Sequence, residues 1–194
     1  LQNYLKAIDL EPINNIVDLT NYILHDLGQP LHAFDLDRIT EDKLIIKKLP
    51  EGTPFVTLDG KERNLSGDEL MICDAKGGLC LAGIFGGSDS GVTENTTAIF
   101  LESAYFSPDI IRKGSQHHGL KTDASFRFER GTDPNMPVEA LKRAAVLIKE
   151  IAGGEVSSDI VDIYPEPIAD FVIPVSFRNI ERLIGKAIPK DEVR

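Results

Sequence analysis

An α+β fold, an irregular antiparallel sheet or β-sandwich with flanking helices, is what this sequence predicts, and three observations predict it. Two segments, at 15–27 and 137–152, carry apolar residues at helical spacing. Between them lie short apolar runs bounded by turn residues, which is strand-like punctuation. Irregular polar segments interrupt those runs.

The first helix is expected from about Asn15 to Leu27, where Ile16, Leu19, Ile23 and Leu27 recur on one side and Gly28 with Pro30 supplies the stop. Its polar side carries Asp18, Asn21 and His25. The next stretch, Gln29 to Asp35, is expected as a loop folding back to bring His32 near Asn21. Short strands begin at Leu44, and Leu58-Asp59-Gly60-Lys61 predicts a hairpin turn, because Asp-Gly tolerates positive φ. Further strands are expected at 70–73, 79–84 and 98–101. In Thr122 to Gly131, alternation would place Phe126 and Phe128 on one face and Arg127 and Glu129 on the other. A second helix is expected over Pro137–Ala152 with a stripe of Leu141, Ala144, Ala145, Ile148 and Ile151, opened by Pro137 and closed by Gly153-Gly154. Pro165-Glu166-Pro167 reads as a stiff connector, dividing the chain into 1–167 and a short 168–194 segment containing an amphipathic run at 180–185.

Composition narrows the functional classes. At 194 residues, 42% hydrophobic and 27% charged, the chain has the make-up of a soluble globular domain with one substantial core. No apolar run approaches the roughly 18 residues that span a bilayer, so a cytoplasmic protein with no membrane partner is expected. Cys73 and Cys80 lack Cys-x-x-Cys spacing and sit in apolar context, which predicts reduced packing thiols. A net charge of −10 argues against nucleic-acid binding on charge alone. Locally the balance reverses: from Arg112 to Arg130, five basic residues face only Asp123 and Glu129, an island able to meet phosphates or simply a solvated surface.

Known chemical signatures are mostly missing. There is no phosphate loop of the ATPase type and no Gly-x-Ser-x-Gly elbow, and His25, His32, His117 and His118 show no zinc spacing, so no metal is expected. Gly83-Ile84-Phe85-Gly86-Gly87 is either a tight turn or a place where backbone N–H groups can approach a ligand. His32 is the histidine placed to donate, accept or carry a proton.

Five ordered stretches carry a resemblance: Asn14 to Tyr22, Gly28 to Asp35, Leu81 to Gly87, Leu101 to Ala104, and Thr122 to Gly131. Over about Asn14–Tyr164 the chain resembles the editing domain of bacterial phenylalanyl-tRNA synthetase β subunits, and the tail from Ile168 resembles the start of the next domain. The resemblance implies hydrolysis of the ester joining tyrosine to the 3′ end of tRNA(Phe). A phenylalanine pocket rejects an added hydroxyl weakly, so a second, polar sieve is required. It further implies that Glu102 accepts the phenolic proton and the Gly86 N–H meets the same oxygen. His32 and Asn21 would position the amino acid and terminal adenosine as the catalytic pair, and Thr122 and Ala124 would line the pocket. His32 orienting water and a tRNA ribose hydroxyl assisting remain alternatives. No cofactor is implied here, with ATP and Mg belonging to the parent ligase, whose partners are tRNA(Phe), tyrosine and the α subunit. Phe85 and His25 depart from the family pattern, and Phe85 bears on pocket shape. A non-catalytic tRNA-binding or subunit-assembly scaffold is the competing expectation.

Overall fold

The structure, a computed structural model, describes residues 1–193. The elements run α1 (Gln2–Lys6), α2 (Asn15–Leu27), β1 (Leu31–Asp35), β2 (Ile45–Lys47), β3 (Pro54–Val56), β4 (Glu62–Asn64), β5 (Met71–Cys73), β6 (Gly78–Leu81), β7 (Phe85–Gly86), β8 (Ile99–Ser103), α3 (Pro108–His118), α4 (Asp123–Phe128), α5 (Pro137–Ile151) and α6 (Phe177–Ile184). All strand pairs are antiparallel: β1 with β8, β3 with β4, and a four-stranded sheet ordered β2-β5-β6-β7. The α+β class is therefore observed. Contacts separate one unit, Leu1–Asp162, from a second that begins at Ile163 and holds α6.

Local chemistry sets the ends of α2. The Asn14 side chain accepts from the N–H groups of Ile16 and Val17 at 3.1 and 2.9 Å, a cap that stabilises a helix by about 1 kcal/mol. Gly28 ends it with φ of 71°, a conformation that a side chain would strain. Gly60, at φ 73°, turns β3 into β4 at the expected Asp-Gly.

Two cores share one wall. Leu19 and Ile23 of α2 meet Ala140 and Ala144 of α5, with Leu31 and Leu101 of the β1–β8 pair packed against them. The small alanines allow the two helices to approach closely. On the other side of the same two strands, Phe34 joins Met71, Ile72, Leu81, Ile84, Ile111 and Phe128 in the larger core. Alternation explains this: residues 31 and 33 face one way, 32 and 34 the other.

Three expectations are corrected. Gln29–Asp35 is not a loop, because Leu31–Asp35 finds a partner strand 68 residues downstream, Leu31 opposite Ser103 and Asp35 opposite Ile99. Thr122–Gly131 is not an alternating element but the helix α4. Thr122 caps it by accepting from Ser125 N–H at 3.0 Å while Ser125 Oγ accepts from Thr122 N–H at 2.9 Å, a reciprocal box. Helical rotation then parts the two aromatics, leaving Phe128 buried and Phe126 47% exposed. In α5 the packed residues are Ala140, Ala144, Leu147 and Ile148, while Ile151 is exposed.

Candidate functional site

The β1–β8 register builds the site. His32 stands directly opposite Glu102, and opposed residues of an antiparallel pair project from the same face. That face is the one shared with Phe34, whose ring lies 4.4 Å from the His32 imidazole, edge on. Both ends of β1 are fastened. Fully buried Gln29 donates through Nε2 to the Ala104 carbonyl at 2.8 Å, and Asp35 accepts from Thr96 Oγ1 at 2.7 Å.

The glycine turn closes in from the neighbouring sheet. A Cβ added at Gly86 would lie 3.2 Å from His32 Cε1 and 2.8 Å from Leu58 Cδ1, so the imidazole sits against bare backbone at this point. The Gly86 carbonyl accepts from Leu58 N–H at 3.0 Å, which holds the 58–60 turn over the same spot. Gly83 is required for a different reason. At φ 67°, a Cβ there would come within 2.7 Å of Phe106 and 2.9 Å of Ile111. Thr122 ties α4 to this turn by donating from Oγ1 to the Ile84 carbonyl at 2.8 Å, and Ala124, half-buried, packs against the larger core.

Low polarity sets the charge states. Burial pushes the Glu102 carboxyl up to about 8, so it is predominantly a neutral acid at pH 7. Burial likewise lowers His32 to about 4, and the imidazole is neutral too. His32 Nε2 is closed from solvent and, among the described residues, has no hydrogen-bond partner. An orphaned ring nitrogen beside a protonatable acid is a polar pair waiting for a third group. Burial first, and then Glu102, also raises the thiol pKa of Cys80; Cys73 and Cys80 are both free and buried.

The sequence-predicted residues thus divide. His32 stands opposite Glu102 and against Gly86, Thr122 reaches the glycine turn through the Ile84 carbonyl, and Ala124 packs on the larger core. Asn21 is half-buried on α2, which packs on β1, but among the described residues no side-chain hydrogen bond joins it to His32 or Glu102. Sequence reasoning missed Gln29 as the clamp between β1 and β8, and missed a second polar cluster. There, Glu69 faces His118 at 2.9 Å, accepts from Ser66 N–H through both oxygens, and lies with His117 in a group whose donor atoms fall within 4.8 Å of one another. These are the residues spaced to hold a metal ion, although the Glu69 contacts also clasp the end of α3 to the turn at 66–69. Neither partner signals the other in sequence, because 48 residues intervene.

Comparison with known proteins agrees with this architecture. The B3/4 domain family matches residues 1–153. The whole chain is 54% identical to the phenylalanine–tRNA ligase beta subunit of Bacteroides fragilis strain YCH46, covering 24% of that protein, and 54% identical over 195 aligned residues to that of Porphyromonas gingivalis strain W83, again 24%. The corresponding subunit of Salinibacter ruber is 45% identical over 99% of this chain and 23% of its own length. The resemblance carried by the five sequence stretches is thereby borne out. The chain spans about a quarter of the length of the curated relatives it matches.

Proposed function

Since this chain belongs to the B3/4 domain family, we propose that it is the editing unit of a phenylalanine–tRNA ligase beta subunit, hydrolysing tyrosine mistakenly esterified to tRNA(Phe). One observation carries the proposal: a neutral carboxyl and an unpartnered imidazole face each other across β1 and β8, in a wall otherwise built from Phe34, Leu58 and bare glycine. Such a wall discriminates by hydroxyl. A tyrosine ring fills apolar space and its O–H donates to the Glu102 carbonyl oxygen, whereas phenylalanine would cover the half-buried acid without giving it a partner, a cost of about 1–3 kcal/mol per group.

His32 then acts by orientation. An imidazole held near 4 is a poor proton store at pH 7, so its free Nε2 serves best as a hydrogen-bonding group that aligns water or the ester. Water adds to the ester carbonyl, the carbon–oxygen bond to the ribose breaks, and the ribose oxygen takes a proton as tyrosine leaves as a free acid. Asn21 belongs to the proposed site as a positioning group for the terminal adenosine. The amino-acid activation step, with its ATP, magnesium and α subunit, falls to the length of the relatives that this chain does not span.

The test is deacylation of Tyr-tRNA(Phe) by the full β subunit with its partner, comparing the unaltered protein with Glu102→Ala and His32→Ala. Loss of hydrolysis in both variants supports the proposal. Turnover unaffected by either substitution, or no turnover at all, refutes it and favours a scaffolding role.

A further inference from the structure

The helix α4 starts beside the glycine turn and carries an exposed aromatic. Thr122, which binds the Ile84 carbonyl beside the glycine turn, is followed one turn on by Phe126, and Arg130 lies two residues beyond the end of α4. The Phe126 N–H donates to the Thr122 carbonyl at 2.9 Å, one helical turn away, and Arg130 stands in the turn that follows α4, its N–H bonded to the Arg127 carbonyl at 3.2 Å. Phe126 is 47% exposed although it is a large aromatic on a helix with a buried side available. The Arg130 guanidinium lies 3.6 Å from the centre of its ring, held there by a hydrogen bond from Nη1 to the Phe126 carbonyl at 3.0 Å and by an ion pair with Glu129. Arg127 flanks the same ring at 5.5 Å, and Arg112 reaches the end of α4 by donating to the Glu129 carbonyl at 2.6 Å.

The charge around this ring is the reverse of the rest. Residues 112–130 carry a net charge of +3, with histidines neutral, in a chain whose total is −10. An exposed ring topped by a guanidinium plane is the chemistry that stacks a nucleobase, and the local excess of positive charge, in which Arg130 pairs with Glu129 and Arg112 with Asp109, favours an anionic strand over an acidic surface. A protein partner would be expected to bury a broader apolar surface than a single ring.

We propose that Phe126 and Arg130 form a stacking platform for the single-stranded 3′ end of an RNA, with one unpaired base on the Phe126–Arg130 pair and the terminal nucleotide reaching the wall of His32 and Glu102. The proposal rests on the editing function for its choice of RNA, and adds the residues that hold the strand outside the pocket. Phe126 is a positioning residue here, since it touches the strand and not the ester.

The chain has no tryptophan, so Phe126→Trp installs a single fluorophore at an exposed position where folding is not at stake. Adding an RNA hairpin with an unpaired CCA 3′ end should quench that tryptophan saturably, and the same hairpin with a blunt end should not. Arg130→Ala should weaken the quench. In deacylation by the full β subunit with its partner, Phe126→Ala should raise KM by about 5- to 150-fold, the worth of one stacked base, with kcat and free-tyrosine binding unchanged. Absence of quenching, or equal quenching by both hairpins, overturns the platform. Quenching without ester hydrolysis would sink the editing function and leave the platform standing, while hydrolysis without quenching would do the opposite.

Discussion

Replacing Glu102 by Gln should abolish a loss of stability that the unaltered protein suffers between pH 6.5 and 8. The folded carboxyl holds its proton up to about 8, against an ordinary 4.5, so between those values the folded state binds one proton more than the unfolded state. Stability from this group is therefore fully present below pH 4.5, falls as pH rises, and is lost above about 8. His32 works in the opposite sense. Its folded value of about 4 lies below the ordinary 6.5, so its contribution grows from pH 4 to 6.5 and is constant thereafter. The two slopes cancel between 4.5 and 6.5, and Glu102 alone acts from 6.5 to 8. Over 1.5 pH units at 1.36 kcal/mol each, the loss is about 2 kcal/mol. Part of the Glu102 surface touches solvent, which reduces the expectation to about 1–2 kcal/mol. Urea unfolding followed by circular dichroism at pH 6.5, 7.25 and 8 measures it. The unaltered protein should decline relative to Glu102→Gln, and parallel curves would refute a neutral acid in the wall.

Other substitutions probe the same geometry. Gly86→Ala pushes a methyl group against His32 Cε1 and the flexible Leu58 tip, so Tyr-tRNA(Phe) hydrolysis should fall by tenfold or more while the unfolding free energy drops by only about 1 kcal/mol. Thr122→Val removes both the α4 cap and the bond to the Ile84 carbonyl, and should cost about 2–3 kcal/mol in urea unfolding, largely restored by Thr122→Ser. Ala124→Phe should remove tyrosine binding measured by calorimetry, with a stability loss of about 1–3 kcal/mol, since the alanine is only half enclosed.

Residues with local reasons for their conformation were legible in the sequence. Asn14 and Gly28 bracket α2 as expected, and Asp59-Gly60 makes its turn, because caps and positive φ are decided within a few residues. Thr122-Asp-Ala-Ser was legible too, but its capping box was overridden by the alternation of Phe126 and Phe128 downstream. Two aromatics at spacing two fit a strand only if both are buried on one side, and here only Phe128 is. The Gln29–Asp35 strand could not be read locally. Its partner lies at 99–103, and a proline at 30 argues for a loop until that partner is known. The meeting of His32 with Gly86 is of the same kind, a contact between two sheets that neither segment announces.

The β1–β8 pair has chemistry on one side and adhesion to α2 and α5 on the other. Two strands alone are marginal in water, so the His32–Glu102 face cannot be lifted out as a handful of loops and grafted onto another scaffold. Any transplant would have to carry the helical backing with it, and a slide of one residue between the strands would reverse one of them, sending either His32 or Glu102 to the α2–α5 side and parting the pair. Whatever fixes the alignment of these ten residues during folding therefore also decides whether the imidazole and the carboxyl share a face at all.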